Sequence, residues 1–305
     1  VILSRIVPHF SIGNRQSAIE NPPVSLFLVQ LRWELYRLVR RPRTWLPFAL
    51  VVVFNFGMSA LLKVEPVRES IAKTIWKMHA KWDEAFSGLT TATHMLGEAF
   101  TILGALGLAL VAADIIAAEN DNGTLRMIFS RPVGRLRIFS IKLITCIIYA
   151  GVLVIFIAAS CLAAGLLFEG RGNLLMLATH EGIFGAFSFT EGLHRYALAI
   201  PFMWLSAISG MLWAFLFACM GMRTAPAMIL ALTLLTADTI VRTSPPTKSS
   251  APYTLTTRLL TWRQVFNDEI PWGRIKRNSR ELAMIDAALI ALAFAAFRRM
   301  EIKRG

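Results

Sequence analysis

The sequence predicts an all-α membrane protein that crosses the bilayer several times. Three observations predict it. Hydrophobic residues make up 55% of the 305 residues, and mean hydropathy is +0.56. The same chain carries a formal net charge of +13. A soluble protein has little room for both, whereas a membrane protein turns apolar groups to lipid and keeps basic ones at the water boundaries. Finally, the apolar residues are gathered into long runs of about 20 residues, the length a helix needs to cross at 1.5 Å per residue.

Six runs qualify: Thr44–Leu62, Met95–Ala118, Ile138–Phe168, Leu198–Met222, Ala225–Val241 and Leu282–Phe297. The third is long enough to tilt or to extend into water. The fifth follows the fourth with almost no loop, which predicts a tight hairpin. Before the last run, "TSPPTKSSAP" at 243–252 reads as an irregular loop. No repeat or soluble domain interrupts this pattern, so residues 1–305 read as a single transmembrane domain. Residues 1–25 show no apolar run followed by a small-residue cleavage site, so the first span is expected to direct insertion.

An even number of spans puts both ends on one side. With the termini inside, 17 of the 32 Lys and Arg fall inside and 15 outside. Short flanks weigh most, and "RLVRRPR" before span one, the basic connector 119–142 and the tail "RRMEIKRG" all favour cytoplasmic termini. "RIKRNSRE" at 274–281 is the basic segment that this orientation leaves outside. The charge suits an anionic lipid surface; nucleic acid is not an expected partner, because the basic residues are scattered among spans.

"VSLFLVQLRWELYRLVRR", Val24 to Arg41, sets Val24, Leu28, Leu31, Leu35 and Leu38 at three- and four-residue steps. Gln30, Arg32, Glu34, Arg37 and Arg41 lie largely away from that stripe. This is an amphipathic helix suited to the membrane interface, with Trp33 beside its apolar face and Arg37 on its polar one. The sharper alternative is a helix that also rests on a cytoplasmic partner. Pro42 ends it, and Trp45 sits at the boundary that an indole prefers. "ESIAKTIWKMHAKWDEAF" at 69–86 is expected to be a second amphipathic helix, on the outer face.

The connector "ENDNGTLRMIFSRPVGRLRIFSIK", Glu119 to Lys142, is too elaborate for a simple turn. Gly123 allows a sharp bend and Thr124 can cap a helix start. Leu125, Ile128 and Phe129 fall on one helical face, flanked by Arg126, Arg131, Arg135 and Arg137. Pro132 ends the run within two turns. A helix that short is not stable alone in water, so its apolar face needs a support. That support is either its own membrane domain or a socket on a soluble subunit.

Glu119, Gly123–Thr124, the apolar patch, Pro132, the basic residues after it and Lys142 together resemble the signature of ABC-2 type permeases. These are the membrane subunits of a class of ABC transporters. The interface helix before span one, the six-span layout and the Phe-Arg-Arg end of the last span agree. The resemblance implies that 119–137 is a coupling segment docking on a cytoplasmic ABC ATPase subunit, through Glu119, Gly123, Thr124, Leu125, Arg126, Ile128, Phe129, Arg131 and Pro132. Many members carry an acid where Arg126 stands, which implies a partner surface of different charge. The resemblance also implies a second permease subunit, the same chain or a homologue, a place in the inner cell membrane, and export as the direction.

The chain has no Gly-x-x-x-x-Gly-Lys-Ser/Thr phosphate loop. No cofactor is therefore expected on it; ATP and Mg belong to the partner ATPase. No paired-acid, Ser-His or metal motif falls on one element, so an enzyme is not expected. The three cysteines, Cys146, Cys161 and Cys219, lie in apolar runs and read as small packing residues. His180–Glu181 and Glu191 with His194 are single close pairs, too few for a metal.

Glu98, Asp114, Asp238 and Asp286 interrupt the apolar runs. An ionised group at mid-span costs at least about 2.5–3.5 kcal/mol. The aspartates lie near span ends and can reach headgroup water. Glu98 follows His94 by four residues, which suits a solvated or ion-paired structural pair. The alternative makes Glu98, Asp114 and Asp286 a polar lining to a translocation path. Transport is thus one expectation; the other is an ATPase-coupled anchor that transmits force or a signal without moving solute.

Overall fold

The structure is a computed structural model, and it describes residues 24–66, 87–123, 134–178, 183–244 and 253–300. Helix α1 (Val24–Arg40) meets α2 (Pro42–Leu61) at Arg41, which is extended. Pro42 causes the break: it opens α2, where a missing N–H costs nothing, and forces the residue before it out of helical geometry. The bend is stapled by Thr44 Oγ1 donating to the Leu38 carbonyl at 2.7 Å and by Trp45 Nε1 donating to Val39 O at 2.8 Å.

Helix α3 (Gly88–Asp121) is capped by Ser87, whose Oγ accepts from Thr90 N. It contains a π-helical stretch, Ala99–Gly104, in mid-course. Helix α4 (Arg135–Glu169) returns, and the two cross where Gly88 meets Gly165 and Gly170. A Cβ at Gly88 would stand 2.1 Å from the Gly170 carbonyl, so only glycine permits this approach. Gly170 itself has a φ of +76°, which ends α4. Strands β1 (Leu174–Ala178) and β2 (Ile183–Phe187) then pair as an antiparallel hairpin. Helix α5 (Phe189–Cys219), capped by Ser188, runs back; a turn through Gly221 at φ +86° leads into α6 (Thr224–Thr243). The chain then folds back onto the hairpin end as α7 (Leu255–Leu259) and a 3-10 turn (Leu260–Phe266), and closes with α8 (Trp272–Arg299).

The long helices share two ends. One carries the β-hairpin and the 253–268 segment; the other carries the connector. Helix α8 starts at the first, where Asn278 Nδ2 donates to Thr261 Oγ1 at 3.1 Å. It finishes at the second, where Arg135 donates to the Arg298 carbonyl. The core lies where α3, α4 and α5 pack, around Leu89, Leu96, Ile115, Ile157, Phe215 and Ala199.

Several boundaries differ from expectation. Helix α3 begins at Gly88, α5 at Phe189 and α8 at Trp272, each earlier than the apolar run it contains. The polar turns at those starts continue the helix, a property that hydropathy does not register. The segment "RIKRNSRE" is therefore the first part of α8. The fold is helical as expected, with one addition, the paired strands Leu174–Ala178 and Ile183–Phe187. These strands are too short and too apolar to separate from helix by periodicity. Among the described residues, five helices are long and apolar enough to cross a membrane: α2 to α6. In α8 the apolar stretch holds Asp286 and ends on Arg298 and Arg299, so it lacks that composition. The amphipathic segment 69–86 lies outside the described residues.

Candidate functional site

The connector leaves the bundle between Glu119 near the end of α3 and Lys142 in the second turn of α4. These two meet: Lys142 Nζ is 2.6 Å from Glu119 Oε2, and both residues are only 2% exposed. Helix α1 completes the arrangement. Glu34, Arg37 and Arg41 recur at three- and four-residue steps, so they share one face. Arg37 lies 3.1 Å and Arg41 3.5 Å from Glu119 Oε1. Glu34 lies 3.1 Å from Lys142 and 3.4 Å from Arg37. Lys142 also donates to the Ile115 carbonyl at 3.0 Å.

Asp114, one turn and a half further into α3, extends the cluster toward α2. Its Oδ2 accepts from Arg41 at 3.1 Å and its Oδ1 from Arg43 at 2.9 Å. Four cations thus face three carboxylates across four helices. Glu119 and Lys142, the two deepest of these charges, are tolerated only when paired, and removing one partner leaves the other buried and uncompensated, at about 3–5 kcal/mol. The cluster therefore fixes the base of the connector relative to α1 and the start of α2. Its geometry can pass a displacement of the connector to both.

Residues 30–243 match the ABC-2 family transporter protein profile. The chain belongs to the ABC-2 family. It is a multi-pass membrane component of an ABC-2 type transporter. A stretch of 88 residues is also 32% identical to YhcI, an uncharacterized protein of Bacillus subtilis (strain 168). That match spans 28% of this chain and 28% of the length of YhcI.

In this ABC-2 protein the cluster gathers residues that sequence patterns treated separately. Arg37 and Glu119 were expected at an interface and a docking segment, and Asp114 on a path; the structure joins all three. Lys142 stood in the family signature without a partner, and Glu34 and Arg41 only as a polar face. On α1, Leu38 is buried and Leu31 and Leu35 half-buried, whereas Leu28 and Trp33 are exposed. The apolar surface thus has two sides, one against α4 and one outward. Gly123 has a φ of +69° and makes the bend after α3. Thr124, Leu125, Arg126, Ile128, Phe129, Arg131 and Pro132 lie outside the described residues.

The remaining charges scatter. Glu98 and His94 are exposed one turn apart on α3, and Glu98 immediately precedes the π-helical stretch. Asp238 accepts from the backbone of Leu255 and Thr256 and from Thr256 Oγ1, so it caps α7 from a remote helix. Asp286 is buried between α8 and α5. Glu191 pairs with Arg195 at 2.9 Å, not with His194.

Arg195 is the residue that sequence reasoning missed. It is 7% exposed and its guanidinium donates to the carbonyls of Val265, Asn267 and Asp268. It also covers the Phe187 ring, with its Cζ 3.9 Å from the centroid. One side chain therefore ties α5, the β-hairpin and the returning 3-10 turn. The Glu191–Arg195 spacing of four was the available signal.

Proposed function

We propose that this chain is the translocating subunit of an ATP-driven exporter. Two permease subunits, identical or homologous, face each other in the inner membrane, and separate cytoplasmic ATPases dock on the 119–137 connector. The observation that carries this reading is the buried Glu119–Lys142 pair and the α1 side chains around it. A connector that merely joined two spans needs no such anchor. One that receives a push from a soluble subunit does, because the push must reach rigid elements.

In this reading α8 is the sixth span and both termini are cytoplasmic. Its course from the hairpin end to the connector end, alongside α5, supports the count. The basic flanks at the connector end support the orientation. Glu98 and His94, exposed on α3 well before Asp114 and Glu119, support a surface that lipid does not cover. A second subunit and a polar path beside it relieve that cost. ATP and Mg act on the partner ATPase.

Purification in mild detergent tests the proposal. The expected particle has a mass of two permease chains together with a nucleotide-hydrolysing subunit. A particle with one copy, no second permease and no ATPase contradicts it. Cysteine labelling from outside should reach a cysteine placed at Ser250 and miss ones at Arg15 and Arg304; labelling of all three from one side overturns the six-span topology.

A further inference from the structure

Asp286 stands at the middle of α8, 6% exposed, against Ser209 of α5, which is wholly buried. Its Oδ2 is 2.9 Å from Ser209 Oγ, and its Oδ1 has no partner among the described residues. Ser209 Oγ also lies 3.2 Å from the Leu205 carbonyl one turn back. A hydroxyl has one proton to donate. If Ser209 gives it to Leu205 O, the bond to Asp286 needs a proton on Asp286.

Among the described residues, the surroundings offer no cation to hold an ionised carboxylate. Helix α5 has no Asp, Glu, Lys, Arg or His from Tyr196 to Cys219. On α4 the charged residues are Arg135, Arg137, Lys142 and Glu169 at its two ends, and Lys142 is held by Glu119 and Glu34. In the segment before α8, Arg258 pairs with Glu281, and the Arg263 guanidinium stands against Gly97 and Trp262. Along α8, Arg274, Lys276, Arg280 and Arg299 are exposed, Arg277 pairs with Glu281 and Arg298 lies over Phe294. The other titratable groups of α4 and α5, Cys146, Tyr149, Cys161, Tyr196 and Cys219, are thiols and phenols that supply no positive charge. An unpaired carboxylate at such a place is costly enough that it takes up a proton instead.

We infer that Asp286 and Ser209 form a proton-binding site in the seam between α5 and α8. While the seam is packed, Asp286 is a neutral acid whose O–H donates to Ser209 Oγ, and Ser209 donates to Leu205 O. When the helices part and water enters, the Oδ2–H bond breaks, the proton passes to water and the carboxylate keeps the electron pair. Closing the seam takes one proton back. A cycle that opens this seam is therefore proton-linked, whichever subunit drives it.

Infrared spectroscopy of the full-length chain in lipid vesicles at mildly acidic pH reads the site directly. The expected result is a protonated-carboxyl C=O band in wild type that is missing in Asp286→Asn. Ser209→Ala, which removes only the hydroxyl, should keep the band and move its frequency. A wild-type spectrum without the band, or a band unchanged in both variants, overturns the inference.

Discussion

Glu119 and Lys142, separated by a connector of 22 residues, approach to 2.6 Å at its base, and each is 2% exposed. Around them Arg37, Arg41 and Glu34 bring in α1. Replacing Lys142 with Met leaves Glu119 facing only the two arginines. Replacing Glu119 with Gln strands Lys142 and the arginines. Each change should destabilise the chain by about 3–5 kcal/mol, the cost of breaking a buried pair from one side. The double variant should lose clearly less than the sum, because the two act on one interaction. Thermal unfolding in detergent measures this; additive losses mean the two side chains are not coupled.

Arg195 to Ala removes the donor for three carbonyls of the 265–268 segment. The segment should open, visible as faster amide exchange in 253–268 with the α3–α4 core unchanged. Arg195→Lys should restore little, since an ammonium cannot reproduce the planar fork or its stacking on Phe187. Full rescue by lysine contradicts a geometric role.

Much of this architecture is legible in the sequence, for physical reasons that also mark where reading stops. Apolar runs reveal α2 to α6 because lipid demands them, and Pro42 announces the bend after α1. The Glu119–Lys142 stretch stands out because it carries more chemistry than a turn requires. Pairing across elements is what the sequence hides. Asp114 and Arg43 are 71 residues apart and meet only when α2 packs on α3. Asp238 reads as a group reaching for water, yet it caps α7. Small residues in α3 suit a helix interface, but spacing does not say whose.

Gly107 answers that last point. A Cβ there would lie 2.5 Å from Pro47 Cβ, so its smoothness serves α2 within the same chain. Gly107→Leu should therefore destabilise the single subunit, by at least the roughly 1–3 kcal/mol typical of overpacking. Unfolding of a subunit held monomeric by detergent checks it. A variant that melts normally and loses only its second copy contradicts the assignment.

Asp238 to Ala removes a cap from α7 and should cost about 0.5–2 kcal/mol. The effect should stay at the hairpin end, read as exchange or proteolysis near residues 253–259. Loss of the whole fold would show that Asp238 has a wider role.

The most direct measurement concerns Leu125 and Phe129 of the connector. They are the apolar side chains that the docking role places against an ATPase, and Asp at both positions removes that contact while leaving the Glu119–Lys142 anchor in place. The complex isolated from its own membrane should show ATP hydrolysis with wild type. The Leu125→Asp/Phe129→Asp chain should come away without the ATPase, with unchanged thermal unfolding of its own. An ATPase retained in full by that variant, with hydrolysis unaltered, would contradict coupling through 119–137.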